Sequence, residues 1–311
     1  MKIKQITIIG MGALGVLYGN FFVKALGRDA ITFIADKERI AQYNNQGVYC
    51  NGIKCDFKIT DSSKVTIQTD LLIFAVKATA LLEAIQTVKN QVTPNTIILS
   101  LLNGITSEEI IGEACGAGHV LYCTAQGMDA VKLGNQLTYS HMGQLCIGIP
   151  DNEQEKSPML EAVIELFERI QLSYVKESDI RHRLWSKWML NVGVNQVVMV
   201  NKGTYQTVQQ GGPPREMMKA AMREVIALAQ IENVPVTEAD LESYVALIDT
   251  LDPDGMPSMR QDGIAKRYSE VELFAGTVIR KAEEYRLNVP VNRELYRAIK
   301  KIESDMIIET G

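Results

Sequence analysis

The sequence predicts an α/β fold followed by a second, all-helical domain. Short apolar runs alternate with helical patterns up to about Leu102, and a glycine-rich turn follows the first run directly. Beyond Ser178, strand signals nearly vanish. Strands that alternate with helices indicate right-handed βαβ units around a parallel sheet. Together these observations predict an N-terminal Rossmann-type dinucleotide-binding domain and a helical C-terminal domain.

The first domain begins with a strand over residues 3–9, which are rich in isoleucine as expected for a buried parallel strand. Further apolar runs predict strands over 30–35, 70–76, 96–102 and 172–175, and helical patterns predict helices over 13–24, 79–88 and 158–169. Between Val120 and Ile149, glycines separate strand-like pieces. This pattern predicts a mostly antiparallel extension of the sheet.

The second domain consists of long helical patterns. We place the boundary near residue 176, which gives a dinucleotide-binding domain over 1–176 and a helical substrate domain over 177–311. The predicted helices span 180–200, 214–232, 238–250, 261–285 and 292–303. We expect the active site in the cleft between the domains, with the dinucleotide at the carboxyl edge of the sheet.

Composition favours a globular enzyme of the cytoplasm. Apolar residues make up 46% and charged residues 22%, and the net charge of −5 argues against a nucleic-acid surface. The sequence contains no apolar run of about 18 residues and no signal-peptide pattern, so neither a membrane span nor secretion is expected. The five cysteines form no CxxC pair, and we therefore expect neither a metal site nor disulfides.

The glycine-rich turn is Gly10-Met11-Gly12-Ala13-Leu14-Gly15, a GxGxxG between a predicted strand and a predicted helix. In this context the first glycine makes a tight turn and the second lets the backbone approach a pyrophosphate. The third allows helix and strand to pack closely, with the phosphate at the helix N-terminus. We predict that these six residues bind the cofactor, although FAD would fit the same turn.

Asp36 ends the second predicted strand, where an acidic residue hydrogen-bonds a ribose 2′-hydroxyl and repels a 2′-phosphate. Lys37 and Arg39 follow and offer cationic groups to such a phosphate. This segment favours NADH slightly and leaves both nicotinamide cofactors open.

Lys187, Asn191 and Asn195 share one face of the predicted helix 180–200, because they are spaced four residues apart. Their neighbours are nearly all apolar, and burying such groups without partners would cost on the order of several kcal/mol. We interpret the three residues as the wall of a polar pocket, the alternative being a lysine that extends to solvent. A pocket lysine suits ketone reduction, since it can donate a proton to the carbonyl oxygen as hydride reaches the carbon.

Further short motifs follow these features in order along the chain. They are Ala75-Val76-Lys77-Ala78, Leu102-Asn103-Gly104, Leu184-Trp185-Ser186-Lys187, Ser258-Met259-Arg260-Gln261-Asp262, Ser269-Glu270-Val271-Glu272 and Val289-Pro290-Val291-Asn292. With the glycine turn, they make almost the whole chain resemble the ketopantoate reductases (2-dehydropantoate 2-reductases). The resemblance implies an NAD(P)H-dependent oxidoreductase that makes pantoate on the route to pantothenate and coenzyme A.

The resemblance also implies roles at the substrate. Lys187 matches the family's general acid. Asn191, Asn195 and Ser258 match residues that hold the substrate, Ser258 through its carboxylate. Asn103 matches a residue that lies between the substrate and the cofactor and contacts both.

On the cofactor side, Lys77 and Glu270 match contacts near the active cleft, and Ala130 falls at a backbone contact to the nicotinamide. The resemblance implies NADPH as the cofactor. However, family members usually carry an arginine where Asp36 stands, which keeps NADH open for this chain.

Three alternatives remain. Family members often have an asparagine, in an Asn-Gly-Glu-Leu-like segment, where this chain has Thr204-Tyr205-Gln206-Thr207, so another 2-oxo acid is an alternative substrate. A related 3-hydroxy acid dehydrogenase and a regulatory dinucleotide-binding protein without turnover are the others, and Lys187 argues against the regulator. The apolar C-terminal helices would also allow a homodimer.

Overall fold

The computed structural model describes residues 2–64, 68–150 and 157–308. The chain divides into two compact units, Met1–Ile180 and Arg181–Gly311. The first is an α/β unit and the second is helical, which confirms the predicted fold class. The division falls after Ile180, whereas the sequence-based boundary lies near residue 176.

The strands of the first unit are short, and in chain order they are β1 Ile6–Ile9, β2 Ile31–Ala35, β3 Tyr49–Cys50, β4 Ile53–Lys54, β5 Ile59–Asp61, β6 Leu71–Phe74, β7 Ile97–Ser100, β8 Val120–Met128, β9 Val131–Leu133, β10 Gln136–Thr138, β11 Met142–Gly148 and β12 Tyr174–Lys176. Among the described residues, the main sheet has eight strands in the order β12-β11-β8-β7-β6-β1-β2-β5. The six from β8 to β5 in this order are parallel. The four central strands β1, β2, β6 and β7 are rich in isoleucine and leucine and are buried throughout, because helices cover both faces of the sheet.

The antiparallel extension predicted between Val120 and Ile149 is confirmed for β8 and β11, which pair antiparallel. However, β9 and β10 leave the main sheet and form a small sheet with β3 and β4. Asp129 accepts the backbone N–H groups of Ser140 and His141 at 2.8 and 2.7 Å, which closes the base of the β9–β10 hairpin. This hairpin is anchored in the core through the buried side chain of Leu137.

The helices of the first unit are α1 Ala13–Leu26, α2 Lys37–Gln46, α3 Leu81–Val88, α4 Ser107–Cys115 and α5 Pro158–Ile170. The apolar residues of α1 and α5 join one core on one face of the sheet, and those of α3 and α4 join a second core on the other. Alternate strand residues such as Ile8 and Ile9 belong to different cores, as the two-residue period of a strand requires.

The second unit is built from α6 Ile180–Val200, α7 Gln206–Gln209, α8 Pro213–Ile231, α9 Glu238–Asp249, α10 Ser258–Ile264, a π-helical turn Glu272–Gly276, α11 Thr277–Glu284 and α12 Pro290–Ile308. Residues Ile180–Val200 form one uninterrupted helix, with the bounds predicted from the sequence. None of the helices in the described part of the chain has the length and apolar character needed to cross a bilayer.

The single helix predicted over 261–285 is wrong. Helix α10 ends at Ile264, and Lys266 takes a left-handed conformation with φ 51°. The N–H groups of Lys266 and Arg267 bond the carbonyls of Gly263 and Asp262 at 3.2 and 2.9 Å, the pattern of a Schellman cap. Glycine usually occupies the left-handed position of such a cap, and because a lysine stands there, the sequence did not predict this helix end.

Candidate functional site

In the first unit, the residues singled out from the sequence follow the carboxyl ends of five neighbouring parallel strands. They are Gly10 after β1, Asp36 after β2, Lys77 after β6, Asn103 after β7 and Ala130 after β8. Ligands of open α/β sheets bind outside this edge. The fold therefore brings the predicted cofactor residues of this unit to the edge where a dinucleotide binds.

The glycine turn between β1 and α1 has a shape that side chains would block. Gly10 has φ 104°, and a Cβ atom there would lie 2.5 Å from the carbonyl oxygen of Ala75. Gly15 is buried, and a Cβ atom there would collide with the carbonyl oxygen of Gly10. Gly12 caps α1 without a side chain, so the first N–H groups of this helix have no side-chain cap. This geometry suits a phosphate at the helix N-terminus.

A groove beside the turn encloses about 520 Å³, including solvent at its mouth. Gly10 and Met11 line it from the turn, Asp36 from the end of β2, and Arg39 and Tyr43 from α2. The groove thus combines apolar walls, an aromatic ring, the two carboxylates of Asp36 and Glu83, and the guanidinium of Arg39. These features fit a nucleoside better than a small acid.

Asp36 and Arg39 form a pair within this groove. Asp36 is the N-cap of α2, and its Oδ1 accepts the backbone N–H of Arg39 at 2.7 Å. Its Oδ2 lies 3.3 Å from Nε of Arg39, and both side chains are at least half exposed. The carboxylate is therefore fixed by the helix cap, and its charge is partly balanced by the guanidinium. Both residues were predicted to meet the ribose or its phosphate, whereas their pairing was not predicted.

In the second unit, Asn191, Asn195 and Ser258 form a chain of hydrogen bonds. Nδ2 of Asn195 donates to Oδ1 of Asn191 at 3.1 Å, and Oδ1 of Asn195 accepts Oγ of Ser258 at 3.2 Å. The same Oδ1 accepts the backbone N–H of Met259 at 3.1 Å, so Asn195 also caps α10. Asn195 is buried and Ser258 is exposed. Lys187 is half-buried and precedes Asn191 by one turn on the same face of α6.

Other faces of α6 hold the π-helical turn that follows Glu270. Nε1 of Trp188 donates to the carbonyl oxygen of Leu273 at 2.8 Å, and Oε1 of Gln196 accepts the backbone N–H of Ala275 at 3.2 Å. Trp188 and Gln196 were missed by the sequence analysis, although a glutamine beside Asn195 in so apolar a helix was a signal.

Glu270 itself is half-buried and lies directly before this anchored segment. The residue that precedes it, Ser269, donates its backbone N–H and Oγ to Oε1 of Glu303 at 2.9 and 2.7 Å. Glu303 is buried in α12. The position of Glu270 is therefore fixed from both sides by residues remote in sequence.

Two family models match the chain. Ketopantoate reductase PanE/ApbA matches residues 6–153, and Ketopantoate reductase PanE/ApbA C terminal matches residues 179–303. Among curated proteins, the chain is similar to the 2-dehydropantoate 2-reductase of Vibrio cholerae serotype O1. The two are 25% identical over 309 residues, which cover 96% of this chain and 98% of the relative.

Two solved structures share the fold. The ternary structure of D-mandelate dehydrogenase with NADH and anilino(oxo)acetate has a TM-score of 0.84 at 21% identity, covering 97% of this chain and 99% of that chain. A dimeric ketopantoate reductase from Staphylococcus aureus has a TM-score of 0.79, also at 21% identity and with the same coverage. At these identities, the similarity supports the fold alone.

Proposed function

The chain belongs to the ketopantoate reductase family, and on this premise we propose that it is a 2-dehydropantoate 2-reductase, which uses NAD(P)H to reduce ketopantoate to pantoate. The observation that carries the proposal is the polar face of α6, where the Lys187 position continues into the bonded residues Asn191, Asn195 and Ser258. A non-catalytic dinucleotide sensor has no need of such a face.

The first unit fits the cofactor. In the proposal, the Gly10–Gly15 turn holds the pyrophosphate, and Asp36 with Arg39 meets the adenosine ribose. Lys77, Asn103, Ala130 and Glu270 are the proposed contacts towards the nicotinamide. When bound, NADH or NADPH would supply the hydride.

Lys187 is the proposed proton donor to the substrate's carbonyl oxygen. A half-buried lysine on an apolar helix suits this role, because its ammonium group is partly shielded from bulk water. Loss of one proton turns its ammonium into a neutral amine, which bulk solvent then protonates again.

Ser258 is the proposed ligand of the substrate carboxylate, and its bond to Asn195 shows what binding requires. Its hydroxyl proton points to Oδ1 of Asn195, whereas a carboxylate needs that proton for itself. On binding, the hydroxyl must turn from Asn195 to the substrate. Oδ1 of Asn195 still accepts the N–H of Met259, so this turn leaves no buried acceptor without a partner.

A second candidate substrate, another 2-oxo acid, is favoured by Tyr205. This half-buried side chain packs on Gly255, where an added Cβ atom would lie 3.1 Å from its ring. The backbone N–H of Tyr205 also bonds the carbonyl oxygen of Gly255 at 2.9 Å. Because Gly255 precedes Ser258 by three residues, an aromatic ring beside it would change the acids that fit.

The test is an assay of NADH and NADPH oxidation with ketopantoate, a branched 2-oxo acid lacking the hydroxymethyl group, and phenylglyoxylate. We expect the highest kcat/KM with ketopantoate. A higher value with another acid would replace the substrate but keep the chemistry. Absence of turnover with every acid, despite dinucleotide binding, would favour the regulatory protein.

Substitution of Ser258 tests the carboxylate contact. Ser258→Ala should raise KM for the oxo acid, since a hydrogen bond to a charged group is worth about 1.5–3 kcal/mol, or roughly 10- to 150-fold. Asn191→Ala and Asn195→Ala should also raise KM, and the affinity for NAD(P)H should stay constant in all three. Ser243→Ala, which changes an exposed serine of α9, is the matched control. An unchanged kcat/KM in Ser258→Ala would rule out the contact.

We further propose that the protein acts in the cytoplasm as a homodimer. The absence of membrane-spanning helices in the described residues and the biosynthetic role are compatible with that compartment. The S. aureus relative is described as dimeric. Sedimentation of the purified protein would determine the state of this chain.

A further inference from the structure

Glu108 is a buried carboxylate that none of the roles above uses. It lies in the first turn of α4 and is 2% exposed. Its Oε2 accepts the hydroxyl of Ser107 at 2.8 Å, and the backbone N–H groups of Glu108 and Cys123 lie close to the carboxyl group. Its Oε1 is buried and has no partner at full hydrogen-bond geometry in the described part of the chain. A buried carboxyl group with one unsatisfied oxygen calls for an explanation.

The bond to Ser107 continues into a chain that reaches β7. Oγ of Ser107 lies 2.8 Å from Oγ of Ser100, the last residue of β7, and Oγ of Ser100 accepts the backbone N–H of Leu102 at 3.3 Å. The direction of the chain follows from its fixed ends. Leu102 can only donate and an ionised Glu108 can only accept, so Ser100 donates to Ser107 and Ser107 donates to Glu108.

This chain joins the two ends of the loop 101–106, which carries Asn103. The loop turns sharply at Gly104, which is buried and has φ 96°. Leu101, Leu102 and Ile105 are buried, so the loop is packed on the core and its polar ends meet inside the protein. Any change in the chain of hydrogen bonds therefore acts on the backbone next to Asn103.

We propose that Ser100, Ser107 and Glu108 are positioning residues that hold the 101–106 loop in the conformation in which Asn103 meets cofactor and substrate. The inference rests on the proposed function, because Asn103 has its role only there. None of the three residues needs to touch a ligand. Their effect is transmitted through the backbone at Leu102 and at the start of α4.

The protonation of Glu108 makes this support sensitive to pH. Burial raises the pKa of Glu108 to about 7, and the Ser107 hydroxyl and nearby backbone amides oppose this only partly. The charge of Glu109 adds to the increase. Few other ionisable groups lie on α4 and on the elements packed against it. They are Glu113 and Cys115 on α4, Glu83 on α3, Tyr122 and Cys123 on β8, and His119 in the turn 117–119.

The sign of the pH effect follows from this increase. A free glutamate has a pKa of about 4.3, so between that value and about 7 the folded protein binds the proton that the unfolded chain has lost. Stability therefore falls as the pH rises through this range, and above it Glu108 is a buried ion with one unpartnered oxygen. We expect the 101–106 loop to open more often at pH 8 than at pH 6.

The experiment compares Glu108→Gln, Glu108→Ala and the exposed neighbour Glu109→Gln. For Glu108→Ala we expect a loss of about tenfold to a hundredfold in kcat/KM for the oxo acid, the effect of a misplaced contact. Amide exchange in the 101–106 segment should accelerate in the same variant. Glu108→Gln should keep most of the activity and remove the part of the pH dependence of exchange and kcat/KM that lies near pH 7. Glu109→Gln should keep the parental kcat/KM and exchange at pH 6, and it should only displace the pH dependence slightly towards lower pH, because the charge of Glu109 no longer raises the pKa of Glu108.

Two results would overturn the inference. One is parental exchange of the 101–106 segment in Glu108→Ala, and the other is a pH dependence in Glu108→Gln equal to that of the parent. If Glu108→Ala does not fold, Ser107→Ala removes the same link by deleting one hydroxyl and is judged by the same criteria. Exchange requires no turnover, so failure of the proposed reductase activity would be seen separately in the parent protein.

Discussion

Replacing Lys187 with alanine should lower kcat by about 10²–10⁴-fold, the range lost when a general acid is removed. The substrate's carbonyl oxygen gains negative charge as the carbon is reduced, and without Lys187 only water is left to protonate it. The affinity for NAD(P)H, measured by nucleotide fluorescence, should change little, because the proposed cofactor residues lie mainly in the first unit. Turnover within a few-fold of the parent would contradict the assignment.

Two further variants separate proton donation from charge. Lys187→Arg keeps the positive charge but not a releasable proton, since guanidinium stays protonated in proteins. It should remain nearly as slow as Lys187→Ala. Lys301→Ala changes an exposed lysine of α12 and should leave kcat unchanged. Recovery of parental kcat in Lys187→Arg would indicate that Lys187 acts as a fixed charge.

Local patterns predicted the elements whose signal lies within one segment. Helix α6 has the predicted bounds because its residues contain no proline, and Lys187, Asn191 and Asn195 fall on one face of it. In contrast, α2 was not predicted, because it has no buried residue and therefore no apolar period. The end of α10 was not predicted because Lys266 adopts a left-handed conformation that lysine rarely takes.

The same distinction between local and long-range features applies to the residues of the site. The glycine turn and the spacing of Lys187, Asn191 and Asn195 are visible in the sequence, because each lies within one element. The link between Asn195 and α10 and the link between Ser100 and Glu108 depend on side chains that meet only after folding. The pairing of Asp36 with Arg39 lies within one helical turn, yet it depends on rotamers that a sequence does not specify.

Removing the charge of Asp36 should shift cofactor preference towards NADPH. The parent should discriminate only weakly between the cofactors or prefer NADH, because a carboxylate at this edge of the groove repels a 2′-phosphate. At about 4 Å and an effective dielectric near 20, each pair of unit charges costs about 4 kcal/mol before screening. Asp36 is half exposed and paired with Arg39, so we expect a smaller effect, a shift of about 10- to 100-fold in the ratio of kcat/KM values.

The choice of variants follows from the cap that Asp36 provides to α2. Asp36→Asn removes the charge and keeps a side chain that caps helices as well as aspartate does. Asp36→Arg adds a cation but loses the cap, which costs about 1 kcal/mol of stability and should lower Tm. Arg39→Ala removes the cation that lines the groove and should shift cofactor preference towards NADH.

The kcat/KM values for NADH and NADPH, measured in the parent and the three variants, give a clear result. The ratio of kcat/KM with NADPH to kcat/KM with NADH should rise in Asp36→Asn, rise further in Asp36→Arg and fall in Arg39→Ala. A strong NADPH preference in the parent that neither Asp36 variant changes would show that this carboxylate does not face the ribose. Arg39 would then be the phosphate ligand, and its removal alone would abolish the preference, because a guanidinium binds a phosphate through paired hydrogen bonds.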